Sequence, residues 1–187
     1  GTNTTTANVD LADAVSVDGL ISITGANVTI GGAVRADANS AGNEALTISA
    51  TNTAASDLNV NNILTTNTGA ITLSAKDDII FAAAGDLASN NGNVLVTADS
   101  DNTAAGRGGA LTMADGTTIN AGSGTITMSA DENIALGGLT TTNATGAAVA
   151  ITSDNGSITD AGDTDVDITA SAANSVVTLS AKDTIGA

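Results

Sequence analysis

The sequence predicts an all-β fold: a β-solenoid, or β-helix, of about seven coils averaging 26 residues, with no significant helix. Three observations lead there. The first is a recurring stretch that reads apolar-Thr-apolar-Ser-Ala, then a polar corner, then one or two apolar residues. It occurs at Gly69–Ile80 (GAITLSAKDDII), Gly124–Ile134 (GTITMSADENI) and Ser175–Ile185 (SVVTLSAKDTI), with a weaker copy, ALTISATNT, at Ala45–Thr53. Alternation with period two marks a half-buried strand, and a strand that cannot bury its apolar face alone has to stack on its copies. The second observation is spacing. Strand signals begin at Ile21, Leu46, Ile71, Val94, Ile126, Val149 and Val177, at steps of 25, 25, 23, 32, 23 and 28. The third is composition. There is no Pro, so every coil can donate its backbone N–H groups to the next. Phe81 is the only aromatic, so the apolar residues are small enough for a narrow core.

Taken in order, residues 1–18 are Thr- and Asp-rich and form either a ragged first coil or an irregular lead-in. Gly19–Arg35 holds two strands around a Gly-containing corner, and Ala36–Glu44 is a polar loop. Ala45–Val60 is the next coil, with Asn61–Gly69 as its corner. Gly69–Leu87 carries the lead repeat followed by IIF. Ala88–Gly109 holds one strand between Asn/Asp/Gly corners. The 32-residue step contains DNTAAGRGG (Asp101–Gly109) and what reads as an extra strand, Leu111–Met113. Ala110–Leu139 holds LTM, ITM and IAL, Thr140–Gly146 is a loop, and Ala147–Ile185 repeats the plan. Secondary apolar pairs fall at Val28/Ile30, Leu58/Val60, Ile79/Phe81, Ile134/Leu136 and Val166/Ile168. This amounts to two or three short strands per coil. Coils about 4.8 Å apart would make a rod roughly 35 Å long. The expected core is Ile21, Ile23, Leu46, Ile48, Ile71, Leu73, Val94, Val96, Ile126, Met128, Val149, Ile151, Val177 and Leu179. Helix is disfavoured because Ala is interleaved with Thr, Gly, Asn and Asp. Asn and Asp in the corners suit positive φ. Residues 1–187 thus read as one solenoid segment of a longer repeat array, and the opening at Gly1 rather than Met reads as a processed product or a piece of something longer.

The charge balance excludes several functions. Twenty acids face four bases, Arg35, Lys76, Arg107 and Lys182, for a net charge of −16. A nucleic-acid surface needs the opposite sign, and so does an anionic membrane surface. No stretch approaches the ~18 apolar residues of a membrane span. With no Cys there is no disulfide frame and no thiolate metal site.

The pattern resembles the repetitive β-helical shafts of large bacterial exoproteins, such as filamentous haemagglutinin-like adhesins and their two-partner-secretion or autotransporter relatives. The resemblance covers most of Gly19–Ala187 and rests on G-x-[IL]-T-[LM]-S-A strands, Asn/Asp/Gly corners, few aromatics and no Cys. The Asn-Pro motifs of that family's secretion domain are absent, so this stretch does not correspond to that domain. The resemblance implies a structural role in an extracellular, cell-surface setting.

Three constellations bear on chemistry. Without His or Cys, Ser–His and Cys–His nucleophiles cannot form. The carboxylate pairs Asp77/Asp78 and Asp99/Asp101 lack the aromatic platforms of glycoside-cleaving sites, so no enzymatic activity is expected. Asp163, Asp165 and Asp167 alternate, with Asp160 nearby, and offer a weak Ca²⁺ site. They match neither an EF-hand loop nor a glycine-rich calcium nonapeptide. The bland alternative is diffuse counter-ion binding. Thr47, Thr72, Thr127 and Thr178 share one slot, each followed two residues on by Ser49, Ser74, Ser129 and Ser180. Coils stacked in register would make these exposed Thr and Ser ladders. Such ladders suit ice binding when flat and regular, but Val94–Ala98 and Val149–Ser153 break the array, and Thr is also an ordinary choice for an exposed strand position. Asn3, Asn27, Asn143 and Asn155 lie in N-x-[ST] sequons at a frequency near chance, and Asn61, Asn62, Asn90 and Asn91 read as corner residues.

The function expected from these features is a structural subunit or segment of an extracellular bacterial fibre, filament or surface stalk. The alternative is an adhesin or ice-binding module presenting the ladders. No cofactor is expected beyond the Ca²⁺ candidate, and neither nucleic acid nor membrane insertion is expected. The expected partner is the chain itself, head to tail. Placing Ala187 before Gly1 puts the next Ile21 31 residues after Val177, close to the internal 32-residue step.

Overall fold

The computed structural model describes every residue except 1, 5–6, 40–41, 52–54, 103–107, 163 and 187, and residues 2–4 by their backbone alone. None of the described residues is helical. The chain winds through three strands per coil. The first coil is β1 (Thr2–Thr4), β2 (Val9–Leu11) and β3 (Val15–Ser16). The second is β4 (Ile21–Gly25), β5 (Val28–Ile30) and β6 (Val34–Arg35). The third is β7 (Leu46–Ala50), β8 (Leu58–Val60) and β9 (Leu64–Thr65). The fourth is β10 (Ile71–Ala75), β11 (Ile79–Phe81) and β12 (Leu87–Ala88). The fifth is β13 (Val94–Thr97), β14 (Leu111–Met113) and β15 (Thr118–Asn120). The sixth is β16 (Ile126–Ala130), β17 (Ile134–Leu136) and β18 (Gly138–Thr141). The seventh is β19 (Val149–Ser153), β20 (Ile158–Asp160) and β21 (Ile168–Ala170). The eighth begins with β22 (Val177–Ala181).

Equivalent strands stack into three parallel sheets. The first runs β1-β4-β7-β10-β13-β16-β19-β22, the second β2-β5-β8-β11-β14-β17-β20, and the third β3-β6-β9-β12-β15-β18-β21. A parallel pair needs a crossover connection, and in each sheet the crossover consists of the other two strands of the coil. Register is strict. Ile21, Leu46, Ile71, Val94, Ile126, Val149 and Val177 pair in one line along the rod. Inward positions alternate with half-buried outward ones, as in β10, where Ile71, Leu73 and Ala75 are buried between Thr72 and Ser74. Leu58, Ile79, Leu111 and Ile134 form the matching line of the second sheet, and Leu64, Leu87, Ile119 and Leu139 that of the third. Phe81 fills the middle of the fourth coil, 1% exposed, with Val60 and Met113 on either side in register.

The corners follow from backbone requirements. Among the described residues, the non-glycine residues with positive φ are Asp37, Asn90, Asp99, Asn102 and Asn174, of the two residue types that tolerate the left-handed region best. Where the third sheet turns into the first, coils approach too closely for a side chain. A Cβ on Gly92 would lie 2.1 Å from the Gly69 carbonyl oxygen, and one on Gly124 would lie 2.0 Å from that of Gly92. Buried hydroxyls tie the same corner: Thr66 donates to the Gly69 carbonyl, Ser89 to that of Gly92 and Thr141 to that of Gly124, at 2.5, 2.5 and 2.7 Å.

Four expectations need correction. Leu111–Met113 is not an extra strand but the second-sheet strand of the fifth coil, so the 32-residue step holds three strands like its neighbours. Val166 and Ile168 are not a second-sheet pair. Ile158–Asp160 occupies that place, Ile168 belongs to the third sheet, and Val166 is exposed. Val177 and Leu179 are in line with the core but not enclosed by it: Val177 is 41% exposed and Leu179 half-buried, because no coil covers them. Finally, Thr2–Thr4 already occupies the first sheet, so the 31-residue path obtained by joining Ala187 to Gly1 crosses two rungs of that sheet rather than one.

Candidate functional site

Three features could carry function: an outward hydroxyl face, an acidic corner and an open terminal coil. The first sheet presents two outward columns. One reads Ser22, Thr47, Thr72, Leu95, Thr127, Ala150 and Thr178 along the rod. Leu95 and Ala150 interrupt it, at the two strands where a break is expected from the sequence. The other reads Thr24, Ser49, Ser74, Thr97, Ser129, Thr152 and Ser180 and has no interruption. Sequence reading missed Thr24, Thr97 and Thr152 because VLVT, VAIT and ISIT do not spell the Ser-Ala ending; aligning strands by inward residue instead of by motif recovers them. Neighbouring hydroxyls touch, with Ser74 Oγ donating to Ser49 Oγ at 2.9 Å and Ser129 Oγ to Thr97 Oγ1 at 3.4 Å. Neither column contains a charged residue, in a chain with twenty carboxylates.

The carboxylates gather at corners instead. Asp163 lies outside the described residues. Asp165 is exposed and Asp167 half-buried in the corner before β21, where the Asp167 carbonyl accepts from the Leu139 N–H. Among the described residues, the acids whose oxygens converge within 4.8 Å are Asp57, Asp77 and Asp78, where the first sheet turns into the second. Three carboxylates at that spacing suit a hard cation, but they also have a structural role. Just before the second-sheet strands, a side chain of one coil accepts the backbone N–H of the next. Asn8 Oδ1 takes Asn27 N–H, Asn27 Oδ1 takes Asp57 N–H, Asp57 Oδ1 takes Asp78 N–H and Asp78 Oδ1 takes Ala110 N–H, at 3.2, 2.8, 3.3 and 2.9 Å. Ala110 has no acceptor to offer, and the column resumes with Asn133 Oδ1 to Ser157 N–H at 2.9 Å and Ser157 Oγ to Thr184 N–H at 3.3 Å. Asp57 and Asp78 are therefore rungs of a corner ladder, satisfying donors that the strands leave over.

Asp77 stands beside that ladder. Burial holds its carboxyl above the ordinary 3.8, the charges of Asp78 and Asp57 and then Glu132 push the same way, and the Gly109 N–H opposes them. That N–H lies 3.1 Å from both Asp77 Oδ1 and Asp78 Oδ1. Lys76 pairs with Asp101 at 3.5 Å on the same corner. Along the same corner in the sixth to eighth coils, Asn155 Nδ2 donates to Asp131 Oδ1 and Lys182 Nζ to Asn155 Oδ1, at 2.5 and 2.8 Å.

The third feature is the last coil. Val176, Val177 and Ile185 are exposed there and Val166 in the coil beneath, and these four are half of the exposed large apolar side chains among the described residues. Val149, directly beneath Val177 in register, is 0% exposed. No family model, curated protein or solved structure matches this chain.

Proposed function

We propose that the chain is a structural subunit or segment of an extracellular bacterial fibre, filament or surface stalk, and that it lengthens by end-to-end stacking of parallel coils. The observation that carries this reading is the unbroken register of parallel coils along one axis: each rung presents a line of inward side chains and a strand edge, a template for one more parallel rung. Like ends do not match, so such a contact is head to tail and open, which generates a filament. The acidic composition supports the same geometry, since net charge repels rods side by side. Resemblance to β-helical exoprotein shafts supports the surface setting, and the charge of −16 speaks against nucleic acid as a partner. No helix is long and apolar enough to cross a membrane. Sedimentation across concentration and salt tests the proposal: association that grows with both is expected, and a single monomeric species throughout would overturn it.

A second reading, an adhesin or ice-binding module, is favoured by one observation, the uninterrupted and uncharged column from Thr24 to Ser180. Hydroxyls repeating about every 4.8 Å would order water regularly. Thermal hysteresis that is lost in a Thr97→Lys, Ser129→Lys double variant would establish ice binding, and no hysteresis in the parent chain would remove it.

A further inference from the structure

The corner between the first and second sheets holds one set of contacts unlike the ladder already described. In that ladder a side chain of one coil accepts a backbone N–H of the next. At Asp131, Asn155 and Lys182 three side chains meet one another instead, one from each of three successive coils, just after β16, β19 and β22. Asn155 stands in the middle. Its Nδ2 donates to Asp131 Oδ1 at 2.5 Å, and its Oδ1 accepts from Lys182 Nζ at 2.8 Å. The chain has two lysines. Lys76 meets a carboxylate, that of Asp101, whereas Lys182 meets a carboxamide. A carboxylate holds an amine by charge; a carboxamide offers it an acyl carbon with a leaving group.

The backbone fixes these three side chains against one another. Asn155 N–H donates to the Asp131 carbonyl at 2.6 Å and Asp154 N–H to that of Ala130 at 3.0 Å, which seats the corner of the seventh coil on the sixth. The next residue, Gly156, packs so closely that a Cβ there would lie 2.7 Å from the Asn133 nitrogen. Lys182 is held from both sides. Ala181 pairs with Ser153 in register, and Asp183 N–H donates to the Gly156 carbonyl at 3.1 Å. Asp131 is only 5% exposed. Amine, carboxamide and acid are thus already in hydrogen-bond contact, the arrangement that turns a slow bimolecular condensation into an intramolecular one.

We propose that Lys182 and Asn155 condense to an intramolecular isopeptide bond, with Asp131 as the proton carrier. Lys182, as the neutral amine after giving one proton to solvent, adds to Asn155 Cγ, and the Nζ–Cγ bond forms. The Asp131 carboxylate takes a proton from the added nitrogen and delivers it to Nδ2, which it already contacts. The Cγ–Nδ2 bond breaks, and ammonia leaves and takes up a proton from solvent. An amine and a primary amide become a secondary amide and ammonia. Nothing is oxidised or reduced, and no co-reactant enters. The product is a covalent tie between the seventh and eighth coils, across 27 residues of sequence. In a chain without Cys, such a tie resists pulling along the rod axis, the direction in which the coils are otherwise joined by hydrogen bonds. It forms within one chain and does not depend on end-to-end stacking.

Intact-mass spectrometry of the purified chain, before and after prolonged incubation, tests it. The chain should become lighter than its sequence by the mass of one ammonia. Trypsin should then fail to cut after Lys182, and fragmentation should place the link between Lys182 and Asn155. Lys182→Arg keeps the charge and a donor to Asn155, and it should keep the full mass. Asp131→Asn should form the link at least about 100-fold more slowly. A parent chain that keeps its full sequence mass throughout would overturn the bond. So would an ammonia loss that persists in Lys182→Arg, because Asn155 would then be cyclising onto the Gly156 nitrogen. A link that forms at the parent's rate in Asp131→Asn would overturn the part given to Asp131.

Discussion

At the scale of the residue, the core tolerates no charge and the outer columns tolerate one readily. Leu73 is fully buried between Ile48 and Val96 in register, whereas Thr72 beside it points outward. Leu73→Asp should cost on the order of 3–5 kcal/mol, an uncompensated buried charge, and Thr72→Asp no more than about 1 kcal/mol; chemical denaturation of both variants checks it. Asp77 has a different signature. Its folded-state carboxyl titrates above the unfolded value, so in the window upward from 3.8 the folded chain holds the proton more firmly. Stability from this group is therefore lost as pH rises through the folded pKa, and ionised Asp77 is a liability at neutral pH. Asp77→Asn keeps an acceptor for the Gly109 N–H, and it should raise the melting temperature more at pH 7 than below pH 4. The inward residues were legible in the sequence because period two shows directly which side chains share a face. The Asp57–Asp77–Asp78 group was not, since Asp57 lies twenty residues before Asp77 and only the register of stacked coils brings them together.

At the scale of the element, what varies is the corner. The first-sheet strands repeat as ITLSA, LTISA, ITMSA and VTLSA and were readable as a motif. Most third-sheet strands are two or three residues long with one inward aliphatic each, too short to show alternation, so the third strand of each coil had no signal of its own. The insertion 101–109 misled for a related reason: it displaces β14 from its usual distance after the first sheet, which makes an ordinary second-sheet strand look additional. Corner spacing also sets which glycines matter. Gly92→Ala would force a Cβ against the Gly69 carbonyl, with an expected cost of about 1–3 kcal/mol. Gly146→Ala meets nothing within 4 Å and should change stability by no more than about 0.5 kcal/mol. Equal melting losses for the two would mean that the coils do not approach at that corner as described.

At the scale of the whole molecule, the stacking lines run the length of the rod. Seven complete coils enclose a continuous core, and the eighth leaves that core open at Val177, Leu179 and Ile185. The rod form was legible in the mean step of 26 residues. If copies stack end to end as proposed, −16 on each copy opposes side-by-side approach at low salt, and screening on the ~10 Å scale at 0.1 M relaxes the end-on repulsion too. Small-angle X-ray scattering over a concentration series at moderate salt tests the central claim, a parallel solenoid that grows along its own axis, most directly. The account predicts a cross-sectional radius that stays constant while the longest dimension increases by roughly 38 Å, eight rungs about 4.8 Å apart, for each copy added. A cross-section that widens with concentration, or a particle whose length never exceeds that of one copy, would contradict it.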